Sequence, residues 1–139
     1  MAKTMELPGG RYAALGVESN GTPAVDVVSI PIDHEVSEVW ARVAVAGTGS
    51  ANMTLGDDDD PNGFIEAADH TSAAGTIFGD AITERGAYQA VNPGTDDSAL
   101  PPKKYVATGK EIKLVLSGAG TIQSFWDVYF KMSKIPAST

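Results

Sequence analysis

The stretch from Asp58 to Asp69, read Asp-Asp-Asp-Pro-Asn-Gly-Phe-Ile-Glu-Ala-Ala-Asp, holds the side chains best suited to chemistry. Asp58, Asp60 and Asn62 stand on alternate residues, Gly63 follows them, and Asp69 closes a run of twelve. These match positions one, three, five, six and twelve of a calcium loop, in which hard oxygen ligands converge on one cation and a glycine permits the bend. Calcium is the only cofactor that any motif here suggests. Two features oppose it. Position twelve is Asp where such loops use a longer, bidentate Glu, and the preceding residues read as a strand, not a helix. Pro61 constrains the loop further. The alternative is a solvated acidic turn whose Asp and Asn side chains cap nearby amides.

His34 and His70 are the only histidines. His34 lies between Asp33 and Glu35, and His70 follows Asp69, so a carboxylate stands ready to orient either imidazole for proton transfer. The commoner reading is a surface histidine in a turn. Two histidines without cysteine make a poor zinc site. No Gly-x-Ser-x-Gly elbow is present, and neither Gly75–Gly79 nor Gly118–Gly120 leads into the Lys-Ser/Thr of a phosphate loop. No catalytic residue is assigned. Trp40 falls on the outer parity of its strand. That position suits either packing in a two-sided core or a contact with another molecule, where Trp is enriched.

Strands carry these residues. In Thr121–Met132, Ile122, Trp126, Val128, Phe130 and Met132 share one parity, while Gln123, Phe125, Asp127, Tyr129 and Lys131 share the other. A period of two marks a strand with one face in the core. Val36–Ala46 alternates likewise, with Val39, Ala41, Val43 and Val45 inward and Glu38, Trp40, Arg42 and Ala44 outward. Ala24–Ile32, Ala51–Leu55, Tyr105–Thr108 and Lys110–Leu116 read as further strands, and Tyr88–Val91 as another short one. Ser117-Gly-Ala-Gly predicts a hairpin joining Lys110–Leu116 to Thr121–Met132. Phe64, Ile65 and Ala68 have helical spacing, so Phe64–Thr71 is the one candidate short helix. Asn92–Pro102, with three prolines, reads as a surface loop. Pro8-Gly-Gly and Ser19-Asn-Gly-Thr-Pro23 bracket a brief strand at Arg11–Val17, which makes residues 1–23 an extended N-terminal arm before a domain at 24–139. Short strands at roughly ten-residue spacing predict an all-β, single-domain antiparallel β-sandwich, jelly-roll-like in character.

At 139 residues the chain is long enough to bury roughly 68% of its extended surface, and it needs neither a disulfide nor a metal to fold. Its net charge is −8, from 10 basic and 18 acidic residues. Nucleic-acid binding rests on phosphate neutralisation by Lys and Arg, so DNA and RNA are poor partners. No apolar run reaches the ~18 residues of a membrane span. The first ten residues lack the apolar stretch of a signal peptide, so if the protein works outside a cell the expected route is release by lysis, not export.

Several segments together resemble the capsid decoration, or cement, proteins of tailed bacteriophages. They are Leu7-Pro-Gly-Gly-Arg-Tyr with Asn20-Gly-Thr, the Val25–Ile32 strand, and Leu55-Gly-Asp with Asn62-Gly-Phe-Ile-Glu-Ala-Ala-Asp69. The closing Gly118-Ala-Gly-Thr-Ile…Phe125-Trp-Asp-Val-Tyr strand completes the set. The resemblance runs from about residue 7 to 131 and rests on the order of these parts. It implies a non-enzymatic β-sandwich on the outside of an icosahedral virion, bound to the major capsid protein and to itself, often as a trimer. The arm would reach across capsid subunits. A second reading is a receptor- or carbohydrate-binding module of a head or tail fibre, with Trp40, Tyr88 and Tyr105 exposed near one another. A third is a small hydrolase, which needs His34 or His70 in a pocket with carboxylates.

Overall fold

The computed structural model describes residues 3–19, 25–31, 34–48, 52–57, 60–79, 84, 86, 105–107, 112–118 and 124–134. The protein is all-β, and its strands pair antiparallel throughout. They are β1 (Lys3–Leu7), β2 (Arg11–Ser19), β3 (Val25–Ile30), β4 (His34–Val45), β5 (Asn52–Gly56), β6 (Ile65–Asp69), β7 (Ile77–Phe78), β8 (Tyr105–Ala107), β9 (Ile112–Gly118) and β10 (Ser124–Lys134). Six strands form one sheet in the order β1-β2-β10-β4, with β7 and β8 sharing the far edge of β4. Four form a second sheet in the order β3-β9-β5-β6. One core lies between them. Val17, Val39, Val43, Trp126, Val128 and Phe130 of the first sheet meet Ile30, Met53, Leu55, Ile65 and Ala68 of the second, all buried.

Period two holds in the middle of β10: Trp126, Val128 and Phe130 point into the core, Phe125 and Tyr129 stay half-buried on the other face, Met132 is half-buried, Asp127 is buried, and Ile122 lies outside the described residues. In β4, Val39, Ala41 and Val43 are buried as expected. Val45 is 52% exposed, against the inward place its parity gave it. A bulge where Phe125 pairs Val45 and Trp126 pairs Val43 inserts one residue and turns Val45 outward.

Three other expectations change. Residues 65–69 form β6, not a helix. The ladder slips between Met53–Ala68 and Leu55–Ile65, so both Ile65 and Ala68 face inward from a bulged strand. β9 and β10 are not a hairpin, because β9 pairs β3 and β5 in one sheet while β10 pairs β2 and β4 in the other. Within residues 1–23, β2 is a full sheet member between β1 and β10, and its Ala13, Ala14 and Val17 are buried. Tyr88–Val91 and Asn92–Pro102 lie outside the described residues. No helix among the described residues is long and apolar enough to cross a membrane.

One polar lock holds the β2–β10–β4 seam. Gly16, at φ +68°, supplies the left-handed residue of a bulge in β2 opposite Asp127. The bulged amide of Gly16 donates to Asp127 Oδ1 at 3.0 Å, and Arg42 Nη2 donates to Asp127 Oδ2 at 3.0 Å. Arg42 also donates to the Tyr129 hydroxyl at 2.8 Å. The hydrogen bond to Asp127, aided by Tyr129, raises the pKa of the Arg42 guanidinium above its ordinary value. A carboxylate at 127 therefore satisfies a backbone group that the ladder leaves out, which explains an acid in the middle of an apolar strand.

Candidate functional site

The acidic turn sits at the tip of the β5–β6 hairpin. Asp57 Oδ1 accepts from the Asp60 amide at 2.8 Å, the Asp60 carbonyl accepts from the Asp57 amide at 3.1 Å, and it accepts from the Gly63 amide at 3.0 Å. This is an Asp side chain closing a turn on local amides. Gly56 is required there, since a Cβ would collide with the Asp60 carbonyl. Asn62 is exposed.

Asp69 lies at the other end of β6, where it pairs with Asn52. Four strand steps separate Ile65 from Asp69, a rise of about 13 Å. Its Oδ1 already accepts from the Thr71 amide at 2.9 Å and from the Thr71 hydroxyl at 2.7 Å. Asp60 and Asn62 thus share one turn and Asp69 lies away from it; Asp58 is outside the described residues. Among the described residues no three His, Asp or Glu side chains gather as a metal-ion site. A rise in melting temperature by differential scanning fluorimetry when calcium is added to chelator-treated protein would place a cation in this turn, and no change would leave it a capped acidic turn.

The Thr71 bonds hold the Asp69 carboxyl below the usual Asp range, the side-chain bond contributing most. A depressed carboxyl pKa steadies the 69–72 turn above the ordinary Asp pKa and loses that effect as pH falls through the folded value. Carbonyl carbon NMR titration should place Asp69 below a model aspartate. Thr71→Val, which keeps the amide but removes the hydroxyl, should move it back toward the ordinary value.

The histidines do not meet. His34 begins β4, half-buried, paired in register with Ala107 and Lys134. His70 is fully buried, a correction to the surface turn expected from its neighbours. Its Nδ1 lies 3.2 Å from Ser124 Oγ, and Trp126 Nε1 donates to that same oxygen at 3.0 Å. The Gly47 amide donates to the His70 carbonyl at 2.7 Å. Ser124 is itself fully buried. This trio ties the 70–72 turn to the strand behind it, and a substrate could not reach it without opening the core.

A cleft of about 370 Å³ opens on the six-stranded sheet, and sequence reasoning found only one of its residues. Leu7 of β1, Arg11 of β2, Tyr129 and Lys131 of β10, and Glu38 and Trp40 of β4 line it. Trp40 and Tyr129 are cross-strand partners, stacked with ring centroids 4.0 Å apart and 14° between planes. Such pairs add about 0.5–1.5 kcal/mol beyond their burial. Behind them Tyr12 stacks on Phe130 at 5.6 Å. Arg11 Nε and Nη2 both reach Glu38 Oε2, at 3.3 and 3.2 Å.

That pair arches over β10, because Arg11 and Glu38 stand on strands two spacings, about 9–10 Å, apart. Side-chain exposures of 60% and 46% make it a weak pair, about 0–1 kcal/mol, that an incoming group can displace. Glu38 reaches Arg11 from a bulge: two steps of β10, Tyr129 to Lys131, face three of β4, Trp40 to Ser37. Its φ of +52° is the one left-handed backbone among described non-glycine residues. Trp40 is half-buried on the outer parity, as read. Tyr88 is outside the described residues, and so is the side chain of Tyr105.

No known protein family, no curated protein and no solved structure matches this chain.

Proposed function

We propose that this chain is a structural, non-enzymatic module that binds and reinforces the outer surface of an icosahedral phage shell, contacting the major capsid protein and its own copies as a trimer. The observation that supports this most is the β1–β2 hairpin. The N-terminal residues, which the decoration-protein resemblance assigns to shell contact, form the edge strand of the larger sheet. An edge strand offers a row of main-chain donors and acceptors to a strand of another chain. Met5, 42% exposed on β1, offers that partner an apolar side chain as well. In this reading the two sheets on one core are a sandwich that acts as a stiff cap, and its acidic charge suits the outside of a shell, away from packaged DNA. Repeated weak contacts through three subunits would give tight attachment.

The test is co-sedimentation with empty shells of the phage that encodes the chain, together with native mass spectrometry of the protein alone and on shells. Saturable binding and a trimeric mass are expected, with Met5→Glu weakening binding while the melting temperature holds. A protein that stays in the supernatant at saturating concentration would reject the reading.

A further inference from the structure

We propose that the cleft beneath the Arg11–Glu38 arch binds a pyranose sugar. Its wall is the Trp40–Tyr129 stack, and the indole is only half-buried. The C–H face of a pyranose is apolar and lies well against such a ring, while its rim of hydroxyls needs donors and acceptors side by side. Arg11 supplies donors only and Glu38 acceptors only. They are held 3.2 Å apart in the lining of the cleft, so neighbouring hydroxyls of one ring can engage both. Arg11 and Glu38 offset each other, and Lys131, which also lines the cleft, adds a further donor. A volume of about 370 Å³ lies at the small end of ligand pockets, roughly 300–1,000 Å³.

The backbone supplies an independent pointer. Glu38 takes φ +52° in the bulge of a twelve-residue strand, and left-handed non-glycine residues and bulges both cluster beside functional sites. Here the left-handed residue is the one that offers the acceptor. Mixed aromatic and bidentate polar surfaces of this kind give affinity by stacking and specificity by hydrogen bonding.

The experiment is a ¹⁵N-HSQC titration of the full chain with the methyl glycosides of glucose, galactose, mannose and N-acetylglucosamine. Saturable shifts with millimolar dissociation constants are expected for at least one of them, centred on residues 11–12, 38–41 and 129–131. Trp40→Ala should weaken binding by about tenfold or more. Glu38→Gln and Arg11→Ala, changes at exposed positions that leave the core intact, should weaken it several-fold. Absence of saturable shifts with all four glycosides overturns the proposal. So does binding that survives undiminished in Trp40→Ala and Glu38→Gln, or shifts that map elsewhere on the protein.

Discussion

A chain beginning at residue 22 is expected not to fold, whereas one beginning at Gly9 should fold and melt cooperatively. The difference is β2. Losing β1 converts β2 into an edge strand, and Thr4, Met5 and Glu6 are exposed already. Losing β2 removes Ala13, Ala14 and Val17 from the core and strips β10 of seven register partners, from Ser124–Ser19 to Lys131–Arg11. Asp127 loses the Gly16 amide at the same time. Each backbone group left buried and unpaired costs about 1–3 kcal/mol, and a domain has only about 5–15 kcal/mol in total. Far-UV circular dichroism with thermal melting separates the two truncations. A cooperative transition for residues 22–139 close to that of the full chain would overturn the prediction.

The second large effect is expected at Trp126. It is fully buried near the start of β10, lies 5.9 Å from the Phe78 ring, and donates its indole N–H to Ser124. Trp126→Ala should cost about 3–5 kcal/mol through lost transfer energy and a residual cavity, with a fall in melting temperature on the order of 10–15 °C. Trp40→Ala is the natural comparison: half-exposed, it should cost about 1 kcal/mol, chiefly the stack on Tyr129. Guanidinium unfolding midpoints measure both. Equal losses at the two tryptophans would mean that the burial assignment of one of them is wrong.

Much of the architecture was legible because alternation in β10 and β4 is long enough to define a face. What escaped reading has a common physical cause. Bulges insert one residue and convert a spacing of two into a spacing of three. Ile65 and Ala68 therefore looked helical when they are inward positions of a bulged strand. Val27 and Ile30 are both buried around a slip between Asp26 and Val28, and Val36 and Val39 around the bulge at Glu38. The glycines after β9 signalled a reversal, but turn residues do not say whether the next strand joins the same sheet.

The site was less legible than the fold. The outer parity of Trp40 was readable; its stacking partner lies 89 positions further on, at Tyr129, and Arg11 meets Glu38 across 27 positions. The burial of His70 had no local signal at all, because its partner Ser124 comes from a distant strand.

The placement of β10 between β2 and β4 has a consequence for synthesis. A ribosome delivers β2 and β4 long before residues 124–134, so their facing edges emerge as two halves of an open seam with no strand to zip between them. Ladders that span 80 to 120 positions close slowly, and until then those halves are exposed to mispairing with other nascent chains. Whatever the finished protein holds on to, its larger sheet stays a gap until its keystone leaves the tunnel.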